Sequence, residues 1–202
     1  MAKLGGERRD VTVLFSDIRG FTALSEKIQP ENVIELLNEY FAAMTEVIFK
    51  WEGTLDKFIG DAIMVFWGAP LPQPDHAERA VRCAIEMSQK LRELCKKWSY
   101  ENKPTINIGI GINTGEVLVG NIGVEGKKMD YTVIGDHVNL ASRLEGLNKE
   151  FNSEIIISEF TFQRIDNLIK KGAFNPVIFK ELGEIRVKGR EKTVRIYAVI
   201  TS

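Results

Sequence analysis

The chain has 202 residues, 27 of them basic and 28 acidic, and its pI is about 6.2. This even balance provides no broad basic face, so we expect no nucleic-acid partner. Hydrophobic residues make up 44% of the chain, enough apolar surface to exclude a disordered protein. No apolar run approaches the roughly 20 residues that span a bilayer, and the polar start lacks a secretion signal. We therefore expect a cytoplasmic domain, with residues 1–8 as a linker, residues 9–202 as one domain, and sensor domains upstream in a longer protein.

The first half of the chain contains three predicted strands and a long helix. Residues 11–15 are an apolar run of β-formers that ends in a polar loop, which is typical of a buried central strand. In residues 30–50 the apolar side chains recur at helical spacing, which predicts an amphipathic helix. Residues 54–59 and 62–67 are two short strands, and the glycine-first turn between them fits a type II′ hairpin.

Further elements follow this hairpin. Asp75 is expected to cap a helix over residues 75–98, and we interpret His76, at its start, as a surface or capping group. Residues 106–112 predict a strand, the sequence at residues 113–115 (Asn-Thr-Gly) predicts a turn, and residues 117–122 predict the return strand. The remaining predicted elements are a polar loop (124–129), a helix (136–150), a strand (155–157), a helix (159–169) and a final hairpin (177–187 with 194–200).

The order β-α-β-β-α-β, followed by extra C-terminal strands and helices, predicts an α+β fold with a ferredoxin-like core. The sheet is expected to be mainly antiparallel, with both long helices on one face. In residues 106–112 every second residue is isoleucine, and the alternate positions are Asn107, Gly109 and Gly111. We expect these positions to leave a bare sheet face that permits close approach by a ligand or a second chain.

Two carboxylates are candidates for a metal site. Asp17 stands where the first strand ends, beside a flexible loop, and Asp61 lies in the hairpin turn. In a split βαβ core the end of the first strand and the tip of that hairpin meet at one edge of the sheet. Two carboxylates that meet there repel each other unless a divalent cation joins them. Each aspartate alone is a common turn residue, so the hypothesis depends on the pair.

Three separated segments resemble one family, in order: V-T-V-L-F-S-D-I-R-G-F-T (11–22), K-F-I-G-D-A (57–62) and Y-T-V-I-G-D-H-V-N-L-A-S-R (131–143). They are similar to the catalytic domain of the class III nucleotidyl cyclases, the adenylyl and guanylyl cyclases. The bacterial adenylyl cyclases resemble the chain most closely, from about Arg9 to the final strand. The resemblance implies a lyase that converts ATP to 3′,5′-cyclic AMP and pyrophosphate.

The resemblance also implies two Mg²⁺ or Mn²⁺ ions in each active site, bound by Asp17, Asp61 and the carbonyl group of Ile18. One ion would activate the ribose 3′-hydroxyl and the other would hold the triphosphate, so that the 3′-oxygen attacks the α-phosphorus in line. The phosphates would be bound by backbone N–H groups and one lysine, namely Gly20, Phe21, Thr22 and Lys188.

Asn139 and Arg143 are four residues apart on a predicted helix, so they share one of its faces. By resemblance, Asn139 positions the ribose, and Arg143 neutralises the charge that develops on the α-phosphate. Outside this motif, an exposed helical asparagine and arginine would be the ordinary interpretation. The neighbouring His137 fits either a structural or a functional role.

Lys57 and Thr132 occupy the positions that select the base in this family. The family's adenylyl cyclases place a lysine at the first position, where the ammonium meets the adenine N1 acceptor, and guanylyl cyclases place a glutamate. Thr132 can accept a hydrogen bond from the adenine amino group, but a hydroxyl also donates and therefore rejects guanine less firmly. The two residues favour ATP over GTP.

In this family, the base contacts and the metal contacts of one active site come from different subunits. Because Lys57 and Asp61 both lie on this chain, we expect a head-to-tail homodimer with two equivalent shared sites. A guanylyl cyclase is the nearest alternative, and a nucleotide-binding regulatory module without turnover is another. A palm-type polymerase or a diguanylate cyclase fits less well, because the chain lacks a basic surface and a Gly-Gly-Asp/Glu-Glu-Phe hairpin.

Overall fold

The computed structural model describes residues 5–124, 127–186 and 193–201, which form five helices and eight strands. The helices are α1 (Phe21–Ser25), α2 (Pro30–Lys50), α3 (His76–Tyr100), α4 (Asp136–Leu147) and α5 (Glu159–Lys170). The strands are β1 (Gly5–Ile18), β2 (Thr54–Ile59), β3 (Ala62–Trp67), β4 (Ile108–Val124), β5 (Lys128–Ile134), β6 (Ile155–Ser158), β7 (Ile178–Ile185) and β8 (Val194–Ile200). No helix in these three segments is both long and apolar enough to cross a membrane.

One sheet contains all eight strands, in the order β2-β3-β1-β4-β6-β8-β7, with β5 paired to the later part of β4. Among the described strands, β4 and β6 form the single parallel pair. The elements β1, α2, β2, β3, α3 and β4 therefore form a βαββαβ unit with the spatial order β2-β3-β1-β4. This arrangement confirms the predicted ferredoxin-like core, which the C-terminal strands extend beyond β4.

Helices lie on both faces of the sheet. The two long helices α2 and α3 pack on one face, as predicted, together with α5. There they enclose the main core, in which Tyr40, Trp67 and Trp98 are among the largest fully buried side chains. Helix α4 covers the opposite face, where its apolar side chains pack against two smaller clusters. Residues of β1 and β4 therefore contact a helix on either side of the sheet.

Strand β4 runs through residues 113–115 without the turn that their sequence predicted. β1 pairs with β4 along its whole length from Gly5 onward, so the backbone groups of this segment have ladder partners. The side chains of Asn113 and Thr114 are buried and form hydrogen bonds across the core rather than local turn contacts. The true hairpin lies farther along the chain, because β5 begins at Lys128, inside the segment that was predicted as a loop.

Helix α4 packs directly on the glycine positions of β4, so the face that was predicted to be bare is covered. A Cβ atom added at Gly111 would lie 2.3 Å from the Ala141 carbonyl oxygen, and one at Gly109 would lie 2.8 Å from Glu145 Oε1. Glycine at these positions therefore admits a helix, not a ligand or a second chain. Asn107, which precedes the strand, is exposed.

A chain of buried hydrogen bonds, here called the polar network, links α3 to α4 through the sheet. His76 Nδ1 lies 2.7 Å from the Thr12 hydroxyl, which lies 2.8 Å from the Thr114 hydroxyl. At the other end, Asn113 Nδ2 donates to the His137 carbonyl at 2.8 Å. His76 is buried, which corrects the prediction of a surface or capping group. Desolvation lowers the pKa of its imidazole. The network consists of Thr12, His76, Asn113, Thr114, His137, Ser158 and Thr161.

Candidate active site

Asp17 and Asp61 meet at one edge of the sheet, where the fold places the end of β1 beside the β2–β3 turn. Asp17 is the second-to-last residue of β1. Asp61 follows Gly60, which has a φ of 62° that favours glycine. The Asp61 carboxylate accepts a hydrogen bond from the Ile18 amide at 3.1 Å, which holds the turn against the strand end. The assignment of these three residues as metal ligands stays a prediction.

The electrostatics of this pair suit a cation. Burial, contact with Asp61 and the charges of Asp61 and Glu145 raise the pKa of Asp17 from 3.8 to about 7. A divalent cation would remove this repulsion and replace the lost hydration. The donors are all oxygen atoms, which suits Mg²⁺ or Mn²⁺. The described residues contain no group of three or more His, Cys, Asp or Glu that could form a fuller cage, but Mg²⁺ usually binds one or two carboxylates and completes its shell with water and phosphate.

The loop after β1 places backbone amides beside the two carboxylates. Gly20 adopts a left-handed conformation (φ 65°, ψ 21°) and directly precedes the short helix α1. Phe21 and Thr22 begin α1, and N–H groups in a first helical turn have no intrahelical acceptor. The local geometry therefore permits the predicted phosphate contacts of this loop. The predicted phosphate ligand Lys188 lies outside the described residues.

Arg19 anchors the same loop, a role that was not predicted from the sequence. Its amide donates to the Asn107 carbonyl at 2.8 Å, and Nε donates to the Ile108 carbonyl at 3.3 Å. A third bond joins its guanidinium to the Ser153 carbonyl. In sequence this residue is only an arginine beside a turn, which is usually solvated. Its donors instead hold the loop against the start of β4.

Lys57 and Thr132 are brought together by Asp56, a residue that sequence analysis missed. A β-bulge between Leu55 and Lys57 inserts Asp56 as an extra residue of β2, and bulges redirect side chains. The Thr132 hydroxyl donates a hydrogen bond to Asp56 Oδ2, and Lys57 Nζ lies 3.3 Å from Asp56 Oδ1. The Asp56 side chain is fully buried, whereas that of Lys57 is partly exposed. A bulge depends on the register of two strands, so no signal in this sequence marks it.

Asn139 and Arg143 share the exposed face of α4, as their spacing predicted. The face of α4 that packs on the sheet is formed by other residues: Val138, Leu140, Ala141 and Leu144. Within one chain, the helix therefore presents Asn139 and Arg143 away from the sheet that carries Asp17. Among the described residues, no hydrogen bond or ion pair joins Asn139 or Arg143 to Asp17 or Asp61 of the same chain.

Glu145 is a third carboxylate near the pair, and sequence analysis missed it as well. It extends from α4 over Gly109, which is the ladder partner of Asp17. Burial raises the pKa of Glu145, and the charge of Asp61 adds to this effect. In the sequence it is one acidic residue among several on a helix. Only the packing of α4 on the glycine positions of β4 reveals that it lies beside the site.

Comparison with known proteins identifies the family. A model described as the adenylate and guanylate cyclase catalytic domain matches residues 6–201. The chain is 35% identical over 193 residues to adenylate cyclase 1 of Rhizobium meliloti, a match that covers 96% of this chain and 28% of that protein. Across three relatives that are named adenylate cyclases, the chain spans between 9% and 37% of the relative's length. It therefore corresponds to one part of those longer proteins.

Solved structures agree with this match. The adenylyl cyclase CyaB from P. aeruginosa has a TM-score of 0.86 and 40% identity, with 98% of this chain and 97% of that chain covered. The guanylyl cyclase Cya2 has a TM-score of 0.84 and 41% identity, with 97% and 94% covered. These two neighbours are almost equally similar, so overall likeness does not select the base. From the matched residues, the fold and the paired carboxylates, we conclude that the chain belongs to the adenylate and guanylate cyclase catalytic domain family, the class III nucleotidyl cyclases.

Proposed function

We propose that this domain is an adenylyl cyclase, which converts ATP to 3′,5′-cyclic AMP and pyrophosphate. The observation that carries the proposal is the contact of both Lys57 and Thr132 with Asp56. A lysine ammonium offers only donors, so it matches the N1 acceptor of adenine and opposes the N1–H donor of guanine. The Thr132 hydroxyl has lone pairs that can accept from the adenine amino group. The relatives named adenylate cyclase support the same substrate.

The reaction needs no covalent intermediate with the enzyme. The ribose 3′-oxygen forms a bond to the α-phosphorus and loses its proton, while the bond from that phosphorus to the bridging oxygen breaks and pyrophosphate leaves. Bound Mg²⁺ would supply activation of the 3′-hydroxyl and neutralisation of the triphosphate. Asp17, Asp61 and the Ile18 carbonyl would hold it. The chain itself contributes positioning and charge stabilisation, which together account for most catalysis in phosphoryl chemistry.

Two residues of α4 act on the nucleotide in this proposal. Asn139 orients the ribose so that the 3′-oxygen is in line with the bond that breaks. Arg143 stabilises the negative charge that grows on the α-phosphoryl oxygens, for which a planar guanidinium with several donors is well suited. The exposure of both side chains leaves their donors available to a ligand. The amides of Gly20, Phe21 and Thr22 would bind the terminal phosphates.

The active form in this proposal is a head-to-tail homodimer with two shared sites. In one chain Asn139 and Arg143 are presented away from the sheet edge that carries Asp17 and Asp61, so a complete site takes the two sets from different chains. One face of the β4–β5 hairpin also exposes a contiguous apolar surface that suits a second chain: Leu118, Ile122, Val124 and Ile134. A monomer is then inactive, because it holds only half of each site.

The substrate is tested by initial rates with ATP and GTP measured side by side, in Mg²⁺ and in Mn²⁺, with chromatographic identification of the cyclic product. We expect kcat/KM for ATP to exceed that for GTP by at least about tenfold, since the wrong base leaves buried polar groups unpaired. Arg143→Ala serves as the inactive control. A higher kcat/KM with GTP would overturn the choice of base.

The shared site is tested by mixing two inactive variants, Asp17→Ala and Arg143→Ala. Random exchange makes about half of the dimers mixed. Each mixed dimer keeps one intact site, because both substitutions fall in its other site. Roughly a quarter of the full activity should therefore return. Native mass spectrometry of the mixture shows that exchange has occurred. Proven exchange without any recovery of activity would refute sites that are shared between chains.

A guanylyl cyclase is the second candidate, and one observation favours it: Cya2 is as similar to this chain as CyaB is. The side-by-side assay separates the two candidates directly. A regulatory module without turnover is disfavoured, because both carboxylates and both α4 residues are present: Asp17, Asp61, Asn139 and Arg143.

A further inference from the structure

Asp56 is a buried acid with one carboxylate oxygen that forms no hydrogen bond. Its side chain is fully buried, yet Oδ1 forms no hydrogen bond with the described residues, and the Lys57 ammonium lies 3.3 Å from it. Within the described segments, this is the one buried side-chain oxygen or nitrogen without a hydrogen bond. Burying such an atom costs free energy that an apolar side chain would avoid. A role in the site would explain why an acid stands here.

The other oxygen of Asp56 fixes the polarity of Thr132. A hydroxyl has one proton to donate and two lone pairs, whereas an ionised carboxylate only accepts. The Thr132 hydroxyl donates its single proton to Asp56 Oδ2, so only lone pairs are left for a ligand. Thr132 is 8% exposed, so little water is available to compete for that proton. A free hydroxyl could donate to a ligand or accept from it, whereas the Thr132 hydroxyl can only accept.

We propose that Asp56 is a positioning residue for base selection: it binds the hydroxyl proton of Thr132, so that Thr132 presents only an acceptor to position 6 of the purine ring. The inference rests on the proposed function, because it concerns how that site distinguishes purines. A 6-amino group donates and is accepted by Thr132. A 6-oxo group brings lone pairs against lone pairs and is rejected, which gives the site a selectivity that threonine alone lacks.

The Lys57 ammonium makes Asp56→Asn an informative variant. This substitution keeps the shape of the side chain and replaces one oxygen by an amide nitrogen, which only donates. Because Lys57 also only donates, it keeps the amide oxygen on its own side and leaves the amide nitrogen facing Thr132. That nitrogen donates to the Thr132 oxygen, and the hydroxyl proton then turns toward the ligand. The position that accepted from a 6-amino group would now donate to a 6-oxo group.

The experiment measures Kd values of 3′-deoxy-ATP and 3′-deoxy-GTP in Mg²⁺ by calorimetry on the intact domain. These analogues lack the attacking hydroxyl, so base selection is measured without turnover. We expect the wild type to prefer 3′-deoxy-ATP, and Asp56→Asn to shift the ratio of Kd values toward 3′-deoxy-GTP by about tenfold or more. The melting temperature of this variant should stay close to that of the wild type, because the amide keeps an oxygen beside Lys57 and a hydrogen bond to Thr132. An unchanged ratio would overturn the proposal.

A double-mutant cycle shows whether Asp56 acts through the Thr132 hydroxyl. Asp56→Asn should change the ratio of Kd values when residue 132 is threonine. In a Thr132→Val background, which lacks the hydroxyl, the same substitution should leave the ratio unchanged. Equal effects in both backgrounds would contradict the proposal, because a purely structural role does not need the hydroxyl. Asp130→Asn, an exposed acid in the same strand as Thr132, is the matched charge control and should leave the ratio unchanged.

A second variant keeps the test decisive if Asp56→Asn does not fold. Asp56→Ala removes the acceptor and frees the Thr132 hydroxyl to donate or accept, so the preference for 3′-deoxy-ATP should fall by a smaller factor.

Failure of this inference can be told apart from failure of the proposed function. If the wild type makes cyclic AMP but neither variant changes the ratio, the role of Asp56 is wrong and the cyclase proposal stands. If no cyclic nucleotide forms, the cyclase proposal fails while the binding ratios still test Asp56.

Discussion

Gly111 of β4 lies directly against Ala141 of α4, so closely that a Cβ atom at Gly111 would stand 2.3 Å from the Ala141 carbonyl oxygen. The depth of this contact sets the position of α4, and therefore of Asn139 and Arg143. We expect Gly111→Ala to displace the helix, to lower the free energy of unfolding by about 3 kcal/mol, and to remove most cyclase activity. Urea denaturation and a cyclic-nucleotide assay measure the two effects.

Gly146 provides the control for this substitution. It lies on the exposed side of α4, and, apart from its chain neighbours and the backbone of its own helix, no described atom stands within 4 Å of the position of an added Cβ. Alanine is the better helix former, so Gly146→Ala should raise the free energy of unfolding by about 0.5–1 kcal/mol and leave activity intact. A similar loss in both variants would show that the contact between β4 and α4 is not the cause.

Asp17 should make stability depend on pH. Its folded-state pKa is raised from 3.8 to about 7, so between these values the folded state binds more protons than the unfolded state. The free energy of unfolding therefore falls as pH rises through this interval. Asp17→Asn removes this contribution, and above pH 7 we expect the metal-free variant to be more stable than the wild type by about 1 kcal/mol, a value discounted for the partial exposure of Asp17.

The response to Mg²⁺ is a second way to compare the wild type with Asp17→Asn. Mg²⁺ should raise the melting temperature of the wild type at neutral pH, because it binds the folded protein and removes the repulsion between Asp17 and Asp61. Asp17→Asn should lose most of this response together with activity. Scanning calorimetry with and without Mg²⁺ measures the effect, and an equal response in both proteins would contradict a metal site at this pair.

Lys57→Glu and Lys57→Met separate the role of Lys57 in base selection from its ion pair with Asp56. Both remove the ammonium, so kcat/KM for ATP should fall by about tenfold or more in each. Both variants remove the ion pair with buried Asp56 and should lower the melting temperature, and Lys57→Glu should lower it more, because the glutamate places a second carboxylate beside Asp56. The ratio of GTP to ATP use should rise in both variants, and more in Lys57→Glu, because only the glutamate can accept a hydrogen bond from guanine N1–H. Identical behaviour of the two variants would show that charge at this position does not select the base.

Asn113 is fully buried, and we expect it to be important for stability. It accepts a hydrogen bond from the Ser158 hydroxyl at 2.6 Å and donates to the His137 carbonyl at 2.8 Å. Asn113→Ala removes both of these hydrogen bonds and leaves a cavity in the core, which should cost about 2–3 kcal/mol of unfolding free energy. Asn107→Ala, at an exposed position just before the same strand, should change it by less than about 0.5 kcal/mol. Equal costs would rule out the polar network as the reason.

Periodicity was sufficient to predict much of this fold. The bounds of α2, β2 and β3 agree with the sequence patterns, because these elements obey local rules of spacing and turn chemistry. The meeting of Asp17 and Asp61 also followed, since a ferredoxin-like core places the end of its first strand beside the tip of the following hairpin. Local pattern and topology agree in this part of the chain.

The sequence was misleading where packing overrides local preference. Asn113 and Thr114 are turn formers in isolation, but buried partners keep them inside a continuous strand. The glycines of β4 indicated an open face, whereas they are the positions on which α4 rests. Asp56 could not be found at all, because its role depends on a bulge that shifts the register between β2 and β3. These features are defined by partners distant in sequence.

The polar network has a mechanical consequence for the assembly of helices on the sheet. Apolar surfaces resist separation, but they are non-directional and oppose lateral sliding only weakly. Hydrogen bonds have preferred angles and lengths, so a bonded path from His76 in α3 to His137 in α4 fixes the sideways placement of one layer on the next. His137 is two residues before Asn139, and the lateral alignment of α4 is thereby tied to bonds on the far side of the sheet.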